Sequence, residues 1–125
     1  MILGDTFVFK AEDGDPHLWI VITDPKAHPD DVWVVNASTL RQGQDQEFVL
    51  NAGDHPMIVH ASVLRFDKAS KVSLQGLIKA LSDDEIEMRM PLDMALVVQI
   101  QKAARVSESI KIGCKKTLDE QGVEP

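Results

Sequence analysis

Leu18-Trp19-Ile20-Val21-Ile22-Thr23 is an unbroken apolar run closed by a threonine. It is too short for an ordinary helix and rich in β-branched side chains, which suit a pleated surface. Asp24-Pro25 follows it directly, and Pro29-Asp30-Asp31 lies a few residues on. These residues favour turns, and proline breaks regular pairing. The run therefore predicts a strand, and its lack of polar alternation predicts burial on both faces.

The flanking segments repeat the pattern. Thr6 to Lys10 is apolar at Phe7 and Phe9 and is stopped by Ala11-Glu12-Asp13-Gly14-Asp15-Pro16. Val32 to Val35 carries Trp33 and leads into Asn36-Ala37-Ser38-Thr39, followed by a polar loop from Arg41 to Gln46. Glu47 to Leu50 predicts another strand, and Asn51-Ala52-Gly53-Asp54 a turn. Pro56 suits the first position of a following strand, because it has no N–H to donate to a ladder. That strand is expected from Met57 to Phe66. Its period of two places Ile58, His60, Ser62 and Leu64 on one face. Trp19 and Trp33 are expected to fill the interior.

The later chain changes period. Ser73 reads as an N-cap for a short helix over residues 73–82, with Leu74, Leu77, Ile78 and Leu81 at helical spacing. Glu85 to Met90 alternates strictly, the pattern of a half-exposed antiparallel strand. Pro91 suits the first turn of a helix running to Arg105, and Ser107 can cap a second helix lined by Ile110, Cys114 and Leu118. Gln121-Gly122 ends it. Strands without helical crossovers between them pair mainly antiparallel. The expected class is mainly β (α+β): one domain over residues 1–125, with a small antiparallel barrel or strongly curved sheet over 1–90 and a C-terminal helical segment over 91–122.

At 125 residues the chain can bury a core without disulfides or a structural metal. Its single cysteine, Cys114, has no partner for an internal bridge and no metal-binding spacing. The N-terminal residues lack the basic and long apolar regions of a signal peptide, and no apolar stretch approaches the ~20 residues of a membrane span. A cytoplasmic protein with no membrane association is expected. The net charge of −7 is unevenly placed. Residues 1–64 hold ten acidic side chains against Lys10, Lys26 and Arg41, while residues 65–125 hold ten of each sign. A phosphate backbone is drawn to clustered Lys and Arg, so the field of the first half opposes nucleic acid. The best basic stripe is Lys102, Arg105, Lys111, Lys115 and Lys116.

The chemically loaded stretch is Gly53-Asp54-His55-Pro56-Met57-Ile58-Val59-His60-Ala61-Ser62. Two imidazoles and a carboxylate fall short of the three or four ligands at recurrent spacing that zinc takes, so no metal or other cofactor is expected. Ser62 and His60 share a strand face, but no nucleophile elbow accompanies them. General acid and base work on a phosphodiester needs two imidazoles and a cation. His60 would then be the base and His55 the acid, with Ser62, Arg65 and Lys68 about the phosphate. Asp54 beside His55 would favour the imidazolium, and the bend at Pro56 would have to swing His55 round to meet His60. In the structural alternative, His55 caps a turn and His60 is a hydrogen-bonded core histidine. His17 and His28 sit in turns beside Asp15-Pro16 and Pro29.

Three segments together are suggestive: Gly4-Asp5 before a first strand, then residues 16–23, Pro-His-Leu-Trp-Ile-Val-Ile-Thr, and residues 32–39, Val-Trp-Val-Val-Asn-Ala-Ser-Thr. Their order resembles the opening of the MazF/PemK-like toxin family, mainly over residues 4–40. The resemblance implies an SH3-like barrel, a homodimer, metal-independent endoribonuclease activity on RNA, and neutralisation by an antitoxin. Pro16-His17 occupies the place of that family's catalytic arginine, and Ser38 or Thr39 that of its catalytic hydroxyl, so the resemblance implies His17 as an alternative acid to His55 and Thr39 as a further group positioning the phosphate. The other functional class open to this sequence is a non-catalytic protein-interaction module, docking through the acidic first half or the C-terminal helices.

Overall fold

The computed structural model describes residues 1–43 and 46–125; the polar loop expected at 41–46 therefore lies partly outside the described residues. The described residues form seven strands and three α-helices: β1 (Thr6–Phe9), β2 (Leu18–Val21), β3 (Asp31–Thr39), β4 (Val49–Leu50), β5 (Ser62–Leu64), β6 (Ser70–Ser73), α1 (Leu74–Ser82), β7 (Ile86–Arg89), α2 (Met94–Val106) and α3 (Ile112–Glu120). A 3-10 turn spans Phe66–Lys68. The expected α+β class, with an antiparallel sheet and C-terminal helices, is the class the chain adopts.

The sheet is open, in the order β4-β5-β3-β2-β1-β7. All pairings are antiparallel. The long β3 organises it. One edge of β3 pairs β2, from Leu18↔Ala37 to Val21↔Val34. Its other edge is divided: Asp31 to Val34 pairs β6, and Ala37 to Thr39 pairs β5. β6 was not anticipated. Ser70-Lys71-Val72-Ser73 has too little apolar content to announce a strand, and it is β-structured because β3 offers it an edge.

Both faces of the sheet are covered, which explains the unbroken apolar run in β2. On one face Phe7, Val21, Val32 and Val34 pack with Ile86 and with Leu77 of α1. On the other, Leu18, Ile20, Trp33, Val35 and Ala37 pack with Val97, Ile100 and Ala104 of α2 and Cys114 and Leu118 of α3. The two tryptophans do not share an interior, because their parity along paired strands places them on opposite faces. Trp33 is 6% exposed in the layer beneath α3. Trp19 is half-buried on the other face, stacked on Phe7 and edge-on to Phe9.

Local signals place the helices. Ser73 caps α1, its Oγ accepting from the Gly76 N–H at 3.1 Å. Pro91 lies outside α2, which is capped instead by Asp93 accepting from Ala95. Ser107 closes α2 rather than opening α3, which begins after Lys111. Its hydroxyl still accepts from the main-chain N–H groups of Ser109 and Ile110, so it orders the turn between the two helices. Gly4, at φ +87°, joins three segments: its N–H donates to Val21 and its carbonyl accepts from Leu92. A Cβ there would stand 3.0 Å from Val97 Cγ2.

Candidate functional site

β2 begins, β3 ends and β5 begins at the same end of the sheet, and the segment 57–60 passes beside them. Between them lies a cleft of about 790 Å³. Five of the seven side chains expected to do chemistry line it: His17, Thr39, His60, Ser62 and Arg65. Asp15, Ser38 and Arg41 line it as well.

His17 enters the cleft one residue before β2. Its ring is gripped by Glu12 from the preceding turn: Nδ1 hydrogen-bonds Glu12 Oε1, and the His17 main-chain N–H donates to Glu12 Oε2 at 3.0 Å. Both carboxylate oxygens thus act on one residue and fix the ring relative to its own backbone. Burial works against the charge of Glu12, but the hydrogen bonds from His17 outweigh it and hold the carboxyl below its ordinary value. Nε2 of His17 has no protein partner among the described residues.

His60 differs from expectation. The segment Met57 to Ala61 is not strand; pairing starts at Ser62, where Thr39 becomes available opposite. His60 is an exposed residue in a bend at the cleft wall, not a core histidine. Ser62 is buried, and its hydroxyl donates to the His60 carbonyl at 3.0 Å rather than to an imidazole. A serine nucleophile activated by His60 is therefore not assembled.

His55 is excluded from the cleft. It is 3% exposed. Nε2 lies 2.7 Å from the Met90 carbonyl and 3.3 Å from Thr6 Oγ1, and Nδ1 accepts from the Met57 N–H at 3.0 Å. These partners fit a neutral ring with its proton on Nε2. Burial, and to a lesser degree the charge of Arg89, lower its proton affinity, while the Met90 hydrogen bond raises it; the net direction is down. The expected imidazolium supported by Asp54 is not formed. Asp54 instead closes the preceding turn, accepting from the Asn51 N–H at 2.8 Å. The bend at Pro56 turns His55 inward, toward β1 and the end of β7.

Of the two expected phosphate cations, Arg65 lines the cleft and Lys68 does not. Arg65 is braced by Asp67, with Nε and Nη2 donating at 3.0 and 2.8 Å. Those hydrogen bonds hold the guanidinium above its ordinary value and the carboxyl below its own. His28 sits far from this site, bonded to Gln121 and Glu120 of the C-terminal segment.

Sequence reasoning missed Glu12 and Arg41. Glu12 stands five residues before His17 in a turn, a spacing that signals nothing until the turn folds back. Among the described residues, no three His, Cys, Asp or Glu side chains are grouped to hold a metal ion. No described helix is long and apolar enough to cross a membrane. Compared with known proteins, the chain matches no family model, and no curated protein or solved structure is significantly similar to it.

Proposed function

We propose that the cleft is a metal-independent acid/base site that cleaves RNA, and that the protein acts as a toxin-like endoribonuclease. The observation that supports this reading is the convergence of His17 and His60 on one open cleft with the hydroxyls of Ser38 and Thr39 and the guanidinium of Arg65. One imidazole takes the proton of a ribose 2′-hydroxyl, and the 2′-oxygen attacks phosphorus. The bond to the 5′-oxygen breaks, and the other imidazole protonates that leaving oxygen. The products are a 2′,3′-cyclic phosphate and a 5′-hydroxyl. Arg65 and the hydroxyls neutralise and orient the phosphoryl oxygens, which carry the charge of the transition state. This reading carries with it a cytoplasmic site of action, a homodimer and an antitoxin-type protein partner. It is tested by incubating the purified protein with RNA in the presence of EDTA and identifying the termini. Cyclic phosphate and 5′-hydroxyl ends are expected; intact RNA contradicts it.

A second reading, the non-catalytic interaction module, is favoured by exposed apolar side chains on the helices. Ile78 and Leu81 of α1, and Met94 and Val98 of α2, are 41 to 49% exposed. Paired apolar side chains one turn apart on a helix suit a partner surface. Loss of partner binding on Met94→Glu and Val98→Glu, with intact RNA throughout, would favour this module over the nuclease.

A further inference from the structure

We infer that Glu12 is the positioning residue that makes His17 the general base of the cleft, leaving His60 as the acid. This assignment rests on reading the cleft as an acid/base site. It reverses the roles expected from the sequence, in which His60 was the base and His17 an alternative acid.

The two Glu12 oxygens face two groups of the same residue, the His17 ring at Nδ1 and the His17 main-chain N–H. A carboxylate has no proton to give, so Nδ1 must be the donor in that contact. The uncharged ring is then fixed with its proton on Nδ1 and its lone pair on Nε2. Nε2 is the atom with no protein partner among the described residues, on a side chain that lines the cleft. A lone pair held toward substrate by a carboxylate behind the ring is the arrangement a base requires. His60 has no such partner on its ring among the described residues. Besides these imidazoles, the charged groups lining the cleft among the described residues are Asp15, Arg41 and Arg65.

Glu12→Gln gives a test that a merely structural role would not pass. Glutamine offers one acceptor where two are needed. The main-chain N–H is an obligatory donor and claims the amide oxygen, so the amide NH₂ faces Nδ1 and drives the ring proton to Nε2. The measurement is long-range ¹H–¹⁵N NMR of the histidine rings at about pH 9, where imidazoles are uncharged, with thermal melts to establish folding. Wild type is expected to show His17 protonated on Nδ1, and Glu12→Gln on Nε2. Cleavage should fall about 100-fold or more in kcat with KM little changed, since base catalysis is worth that much. Glu12→Asp, which keeps two acceptors, should retain the wild-type tautomer. A wild-type His17 protonated on Nε2, or the same tautomer in wild type and Glu12→Gln, overturns the assignment. An inactive wild type that nonetheless shows the tautomer switch sinks the nuclease reading and upholds the positioning by Glu12.

Discussion

The imidazole of His55 lies 2.7 Å from the carbonyl oxygen of Met90, which ties the turn after β4 to the end of β7. This contact removes from the cleft the histidine whose neighbours, Asp54 and Pro56, look most chemical. With the Met57 N–H donating to Nδ1, both ring nitrogens are engaged by main-chain partners. His55 is therefore a structural element of the fold, and the second imidazole of the cleft is His17.

His55 should govern acid stability. Burial lowers the proton affinity of this ring in the folded chain, whereas the unfolded chain takes up a proton near the ordinary value of 6.5. Stability is then highest above that pH and falls as pH drops through it, because the unfolded state binds more protons there. Denaturant melts between about pH 8 and 5 should show this decline, and His55→Gln should flatten it. At neutral pH that substitution should cost about 1–3 kcal/mol, the penalty for leaving buried partners unpaired.

Glu47 makes a second pH-dependent clamp. Its carboxylate accepts from the hydroxyls of Ser107 and Ser109 and from the Glu108 N–H, joining the approach to β4 with the turn between α2 and α3. Burial opposes its charge, but these hydrogen bonds prevail and hold the carboxyl below its ordinary value. The stabilisation is present above the unfolded value of 4.5 and is lost as pH falls below it. Glu47→Gln should lower neutral-pH stability by about 1–2 kcal/mol. Hydrogen exchange should quicken selectively at residues 107–111.

Gly113 reports on the packing of α3. A Cβ there would stand 3.1 Å from Cζ2 of Trp33, a ring held in the core. In an open helix Gly→Ala gains about 1 kcal/mol, but overpacking a filled core costs about 1–3. Gly113→Ala should therefore lower the melting temperature, and a quantitative melt of this variant checks it. An increase would mean that α3 can shift off the sheet at no cost.

Cys114 should be inert while the protein is folded. The thiol is fully buried between α3 and the sheet, and desolvation pushes its pKa up to about 12. The thiolate is the reactive form, so alkylation should follow unfolding. Labelling by iodoacetamide should track the denaturant curve, with the folded protein unmodified.

Much of the fold was legible because it rests on period and punctuation. The run from Leu18, the strict alternation of Glu85 to Met90 and the Ser73 cap each depend on neighbours in sequence, and each is found in place. What was not legible depends on neighbours in space. β6 exists because β3 is long enough to offer two edges on one side. Met57 to Ala61 has strand composition but lacks a partner until Thr39 comes opposite Ser62. The same holds at the site. His60, Ser62 and Arg65 were singled out by residue type and Thr39 through the resemblance, and all four line the cleft, whereas the burial of His55 and the grip of Glu12 on His17 follow from turns that fold back across the chain.

The most direct test of the cleft as the working site is single-turnover cleavage of RNA in EDTA by wild type, His17→Ala, His60→Ala and His55→Gln. Loss of either cleft histidine should slow cleavage by about 100-fold or more, while His55→Gln, at a temperature where it is folded, should stay within a few-fold of wild type. Full activity in His17→Ala and His60→Ala, or no cleavage by wild type, would contradict the account.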